Sequence, residues 1–266
     1  MCGRYASVVS RADLLDRFAV DESNADEPRG QDFNVMPTKD EPVVIARVPK
    51  DAGDDAAPER DLRTFRWGLL PFWAKDIKVG ARMINARVEV VHENPAYRRA
   101  FKSQRALIPV DAFYEWLETD QVGKASKQLK QPFVLRPTDG LTLPLAGLYE
   151  VWYDKSLPDD DPNRIMPTYT IITTIATDSV GRIHERMPMA ITPDHWDEWL
   201  DPRNHDVDEL CGLMAPPVDG SLDMYAVSKA INSVKNNGPE LLEPLPAEHE
   251  RTHAPAGCRQ GTVADR

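Results

Sequence analysis

Apolar positions in this chain repeat over short distances and change period often. Ser10 reads as an N-cap with Asp13 three residues on, and Leu14, Leu15 and Phe18 give the apolar stripe of one short helix. After that helix the two-residue period takes over. PVVIA from Pro42, RTFRW from Arg63, ALIPVDAFYEWL from Ala106, PFVLR from Pro132 and LPLAGLYEVW from Leu143 all read as strands. TYTIITTIAT from Thr168 is the run richest in β-branched residues, so it is the strongest candidate for a buried strand. MINARVEVV alternates, with Ile84, Ala86, Val88 and Val90 on one face and Asn85, Arg87 and Glu89 on the other. MYAVS from Met224 is a last short strand.

Helices are few. Asn94 caps one with Pro95 at N1, running through Tyr97 and Phe101. Thr192 and Pro193 open another that turns Trp196, Trp199 and Leu200 inward, and a further one spans Val207 to Met214. Polar runs at 50–59, 119–131 and 154–166 are loops, the first joining two hairpin strands. The expected fold is therefore α+β: a single domain, residues 1–246, with an antiparallel β-barrel-like core and peripheral short helices. Residues 247–266, polar and rich in Pro and Ala, read as a disordered tail.

Composition narrows the function. The chain has 266 residues, no run near the roughly 20 apolar residues of a membrane span, and no signal-peptide pattern at its start. Cys2, Cys211 and Cys258 have neither disulfide nor metal spacing, and no His is paired with another His or a Cys at ligand spacing, so no metal or cofactor is expected and the compartment is a reducing cytoplasm. Net charge is −11, against a wholly basic nucleic-acid binder. The average hides a contrast, because 60–136 holds 15 Lys/Arg against 8 Asp/Glu, while 21–59 holds 4 against 11. Such a segment either folds into one positive face or scatters its charges over the surface.

Candidate chemistry starts at the first residues, MCGRYAS. Once Met1 is removed, Cys2 offers an α-amine and a thiol on adjacent carbons, a 1,2-aminothiol able to close a thiazolidine ring on an aldehyde. Glu115 lies in FYEWL, flanked by Phe113 and Leu117 on its own strand face and by Tyr114 and Trp116 on the other. Desolvation there would raise its pKa toward neutrality, as suits a general acid–base; alone, it reads equally as a strand-end carboxylate paired with an arginine. His184, in a loop bracketed by Gly181 and Pro188, is a proton donor or acceptor, or a hydrogen-bonded structural histidine. Asn85 and Arg87 share a strand face that is either a polar pocket wall or an ordinary solvent face. Phe72 and Trp73 are adjacent aromatics on a turn after Pro71, either a stacking platform for single-stranded nucleic acid or a lid on the core.

Seven motifs occur in order along the chain: MCGRYA, FNVMPT, WGLLPFWAKD, INARVE, FYEW, HERMP and VSKAINSVKN. Together they resemble the SRAP family, the SOS response-associated peptidases or abasic-site processing proteins, from Met1 to about Pro246. That resemblance implies a cleft for single-stranded DNA containing abasic sites, self-removal of Met1, and a thiazolidine crosslink between Cys2 and the ring-opened sugar aldehyde. By matching position, Cys2 is the nucleophile, Asn85 orients the amine or bonds the linkage, Glu115 exchanges protons and assists Met1 removal, and His184 acts on the sugar oxygen. Arg4, Arg87 and Arg186 would hold phosphates, and Phe72 and Trp73 would stack on bases. Pro37, Ser228, Lys235 and Asn236 would line the DNA channel. The acidic stretch at 51–59 and the tail after Pro246 depart from the family pattern, and Phe72 stands where some members carry Trp. A monomer in the cytoplasm, moving to the nucleoid on DNA damage, is the expected form. Two other readings use the same residues: a cysteine peptidase acting on external peptides through Cys2 and His184, and a non-covalent reader of single-stranded or modified DNA.

Overall fold

A computed structural model describes residues 2–246, apart from 28, 50–52, 54–55, 123–127 and 178–179. Met1, part of the acidic stretch, the tip of the 119–131 segment, Cys258 and the tail thus lie outside the described residues. The chain begins with β1 (Tyr5–Ser7), α1 (Arg11–Phe18), β2 (Asp32–Val35), β3 (Asp40–Arg47), β4 (Glu59–Trp67) and β5 (Asn85–Arg87). It continues through α2 (Arg98–Ser103), β6 (Arg105–Val110), β7 (Ala112–Val122), β8 (Gln128–Pro137), β9 (Leu143–Tyr153) and β10 (Ile165–Ile175). It ends with β11 (Arg186–Pro188), β12 (Ala190–Ile191), α3 (Trp196–Leu200), α4 (Val207–Leu213), β13 (Met214–Ala215) and β14 (Leu222–Ala226).

Strands β3, β4, β10, β9 and β6 pair in a ring, so the barrel expected from the short alternating runs is closed. Four of its five seams are antiparallel; the fifth, β4 with β10, is parallel. Closure removes the unpaired edges that a sheet of short strands would expose. A second sheet, in the order β14-β8-β7-β1-β2, is antiparallel throughout. The alternation along β3 serves two cores. Val44 and Ala46 pack with Leu14 and Phe18 of α1 and with Trp196 and Trp199 of α3. Val43 and Ile45 pack with Tyr5 of β1, Phe113 of β7 and Leu135 of β8. α1 forms as its sequence predicts, with Ser10 accepting from the Asp13 N–H.

Four local expectations change. The run ALIPVDAFYEWL is two strands, not one, because Asp111 turns the chain from the barrel into the second sheet. Its carboxylate accepts from the Val8 and Val9 amides and from the Thr142 hydroxyl, which fixes that corner. MINARVEVV stays extended only over Asn85–Arg87 and then tightens into a 3-10 turn, leaving Val90 exposed. A three-residue strand lasts as long as its parallel partner β10 lies beside it. The 119–131 segment is largely strand, since β7 runs to Val122 and β8 starts at Gln128, their pairing resuming at Val122 opposite Gln128 after a register shift beyond Glu118. Polar composition there marked solvent exposure of a hairpin, not absence of structure. Finally, Asn94 caps a turn at Ala96 and Tyr97, and α2 begins only at Arg98.

The aromatic turn is aimed by glycine. Gly68 sits at φ 120°, and a Cβ there would lie 2.6 Å from the Gly80 carbonyl oxygen. Its amide donates to Tyr169 in β10, and the Leu69 amide donates to Met83, so the segment leading to Phe72 is fixed to the barrel. Gly68→Ala combines left-handed backbone strain with a backbone clash. We expect a loss of about 2 kcal/mol or more, read as a thermal midpoint lowered by about 4 °C or more; an unchanged midpoint would show that the Gly68–Gly80 approach relaxes freely.

Candidate active site

β1 is three residues long and is held on both edges. Tyr5 lies opposite Val35 of β2 and Phe113 of β7, and the Tyr114 amide donates to the Arg4 carbonyl, which carries the ladder toward the start of the chain. This pairing threads Cys2 into the second core, where it is completely buried among residues including Tyr5, Tyr169 and Ile171. Burial pushes its thiol far above the ordinary cysteine range, and the nearby Glu115 charge pushes it further the same way. The thiol is therefore protonated.

Asn85 and Glu115 reach Cys2 from different sheets. Asn85 stands opposite Ile171 of β10 and donates from Nδ2 to the Cys2 carbonyl at 2.8 Å. Its own carbonyl accepts from the Tyr97 hydroxyl at 3.2 Å, and its Oδ1 is buried without a hydrogen-bond partner among the described residues. Glu115 is 2% exposed. Desolvation raises its pKa from 4.5 to about 7, and the positive charge of the amino terminus acts in the opposite direction. The charges that lower it are the amino terminus and Lys130, and the net upward shift favours the general acid–base reading of FYEWL.

His184 follows a 3-10 turn and precedes β11. The Arg186 amide donates to its Nδ1 at 3.0 Å. An accepting Nδ1 puts the proton of the neutral ring on Nε2. Desolvation, and then the charge of the amino terminus, hold its pKa below the usual histidine range. The terminal charge therefore acts on Glu115 and His184 alike.

The flanking residues divide into braces and free surface. Arg4 donates to Asn34 Oδ1 and to the Ile231 carbonyl, and its guanidinium lies 5.9 Å from the Trp116 ring centroid. Ser228 caps the 3-10 turn 229–232, and Asn236 donates to Ala230, so both act within the closing loop; Lys235 is exposed. Pro37 sits on the turn between β2 and β3 beside Thr38, which has φ 78° and donates to Trp67. Arg186 is 6% exposed and forms a two-pronged ion pair with Glu89, while also donating to the Thr173 carbonyl. Arg87 is exposed, and Phe72 and Trp73 are 54% and 49% exposed. An aromatic pair so open to water is not a core lid.

A sequence model for SOS response associated peptidase (SRAP) matches residues 1–234. The chain belongs to the SRAP family. It is 36% identical over 243 residues to the abasic site processing protein YoqW of Bacillus subtilis, covering 91% of this chain and 99% of that one. It is 29% identical to the abasic site processing protein YMR114C of Saccharomyces cerevisiae, covering 92% of this chain and 68% of the other. In fold it is similar to a crystal structure of a protein from Bacteroides thetaiotaomicron, with a TM-score of 0.72, 21% identity, and coverage of 92% of this chain and all of that one.

Within this SRAP chain, sequence reasoning missed the residue that ties the site's periphery together. Asn34 is buried, and its Nδ2 lies within hydrogen-bond distance of the carbonyls of Ile231, Ser233 and Asn236 while its Oδ1 accepts from Arg4. The available signal was an amide set between the apolar Phe33 and Val35 in FNVMPT. Glu89, the partner of Arg186, was also missed, because only the fold lays it across β10. Among the described residues there is no group of three or more potential metal ligands and no helix long and apolar enough to cross a membrane.

The Glu115 shift has a stability consequence with a definite sign. A carboxyl raised in the folded state contributes stability at acid pH, which is lost as pH rises from 4.5 through about 7. Glu115→Gln removes that titration. The stability of the variant relative to the parent should thus climb across this window, by up to about 3 kcal/mol. Thermal midpoints at pH 4.5, 6 and 8 test this, and a pH-independent difference would remove the raised pKa.

Proposed function

We propose that this chain processes abasic sites in single-stranded DNA by forming a covalent bond through Cys2, and that removal of Met1 is self-catalysed with Glu115 as proton acceptor. Membership of the SRAP family and the names of the relatives support the substrate. The observation that carries the chemistry is the meeting of Asn85 and Glu115 at a buried Cys2.

The steps follow from these environments. After Met1 is lost, the α-amine of Cys2 attacks the aldehyde carbon of the ring-opened sugar. Its ordinary pKa near 7.7–8.0 leaves most of it protonated at neutral pH, and ionised Glu115 draws off that proton. His184, with its proton on Nε2, donates to the sugar oxygen as the ring opens. The carbinolamine loses water to an imine, and the thiol then adds to the imine carbon. One C–N and one C–S bond form, and the carbonyl oxygen leaves as water. There is no change of oxidation state. The two groups share one residue, so ring closure is intramolecular, where effective molarities can reach about 10⁵ M or more. Asn85 holds the Cys2 carbonyl and thereby the direction in which the amine points.

Burial also separates this reading from a cysteine peptidase acting on external peptides. Such an enzyme needs a thiolate stabilised by a cation, whereas here burial and Glu115 keep the thiol neutral. In an imine-first order the thiol reacts only after a positive iminium has formed beside it, which offsets that penalty. A monomer acting on damaged DNA in the cytoplasm or nucleoid is the setting that goes with this reading.

Incubation with an abasic single-stranded oligonucleotide, followed by denaturing electrophoresis, tests the proposal. The parent chain should give a heat-stable shifted band and Cys2→Ala none; a stable adduct with Cys2→Ala would overturn it. Glu115→Gln should retain Met1, visible as an intact-mass difference of one methionine residue. For the processed parent chain, the crosslinking rate should rise with pH through about 7 as Glu115 ionises, and a rate flat from pH 6 to 8 would exclude Glu115 as the base.

A further inference from the structure

α2 places three cations in five residues, Arg98, Arg99 and Lys102, all exposed. Arg98 and Lys102 are four apart and share one helix face, about 5–6 Å apart at Cβ. Neither side chain has an ion-pair or hydrogen-bond partner among the described residues. They line an open concavity of about 720 Å³ together with His92 and His205. Arg99 also lines the concavity and has partners besides. Its guanidinium carbon lies 5.0 Å from the centroid of the exposed Phe72 ring, and it stands 3.9 Å from the buried carboxylate of Glu150. The acid at the concavity is Glu93, 3.5 Å from His92.

Two links join this helix to the active site. The residue before α2, Tyr97, gives its hydroxyl to the carbonyl of Asn85, whose amide holds Cys2. The Arg99–Phe72 contact makes the helix continuous with the aromatic turn. On a chain of net charge −11, a pair of cations without carboxylate partners, beside open aromatics, is a local reversal of sign. Elsewhere in the basic segment several arginines are paired: Arg60 with Asp197, Arg63 with Asp26 and Asp61, and Arg105 with three backbone carbonyls. One helical turn between two cations suits neighbouring phosphates of an extended strand.

We infer that α2 is a second backbone anchor, on which Arg98 and Lys102 hold phosphates of the strand flanking the lesion, beyond the Phe72–Trp73 turn. This rests on the reading that the chain acts on abasic sites in single-stranded DNA. The contacts are electrostatic and blind to base identity, so they extend the footprint without restricting sequence.

The test compares the parent chain with Arg98→Gln/Lys102→Gln. The ligand is a fluorescent single strand of about 16 nucleotides carrying a tetrahydrofuran abasic analogue, which has no aldehyde and reports binding alone. Anisotropy titrations between about 0.05 and 0.2 M salt give the slope of log affinity against log salt. Each phosphate contact contributes about 0.7 to that slope for single strands, so the double variant should be shallower by about 1.4. Its thermal midpoint should match the parent, since neither side chain is buried. An unchanged slope overturns the anchor. The aldehyde-bearing strand, run in parallel, separates the two ideas. A parent chain that crosslinks while the slopes coincide loses only the anchor. One that never crosslinks while the slopes differ loses the abasic-site reading and keeps a nucleic-acid surface.

Discussion

Pairing of the three-residue strand β1 on both its edges is the constraint from which the site follows. So short a strand has no stability alone, and it persists because β2 and β7 supply its ladders while Tyr5 and Ala6 fill two cores. Asp111 secures the return, since the Asp111 amide donates to Ala6 and its carboxylate accepts from Val8 and Val9. With the first residues anchored in this way, Cys2 is no frayed terminus. It meets an amide from β5 and a carboxylate from β7 at positions set by separate sheets. Groups fixed by packed strands hold their geometry before any ligand arrives, which is what an intramolecular ring closure requires.

One low-dielectric environment moves three groups toward neutrality. Burial raises the Cys2 thiol, raises Glu115 to about 7 and lowers His184. Burial disfavours the charged form of each, almost completely enclosing Cys2 and Glu115 and half-burying His184. That suits amine chemistry, in which the nucleophile must lose a proton and the leaving oxygen must gain one close to physiological pH. It does not suit a thiolate-first nucleophile, and the distinction comes from burial, not from the identity of the cysteine.

Arginine serves two separate purposes. Arg4 and Arg186 are enclosed, the first tying the closing loop to Asn34 and the second bridging Glu89 to the backbone of Thr173. Arg186 also lends its own amide to His184, so a brace for β11 orients the ring beside it. Arg87, Arg98 and Lys102 remain open to solvent. A chain of net charge −11 thus carries cations without carboxylate partners beside exposed aromatics, while Arg4 and Arg186 serve as internal braces.

Sequence alone determined the local grammar. Ser10 as a cap, the buried run TYTIITTIAT and the inward tryptophans of α3 follow from the types of their immediate neighbours, whereas the burial of Glu115 and the exposure of Phe72 and Trp73, each open to two readings in the sequence, were decided by the fold. A barrel-like core was expected, but its strand order and its one parallel seam were not legible, because pairing partners lie far apart in the chain and alternation does not name them. The break at Asp111 was hidden for a similar reason: a strand that crosses from one sheet to another keeps its apolar pattern, and only the distant Val8, Val9 and Thr142 make the corner necessary. Asn34 and Glu89 went unread because a buried polar side chain is explained by its partners. Those partners, the Ile231, Ser233 and Asn236 carbonyls in one case and Arg186 in the other, lie about 200 and 97 residues away and are brought close only by the folded chain.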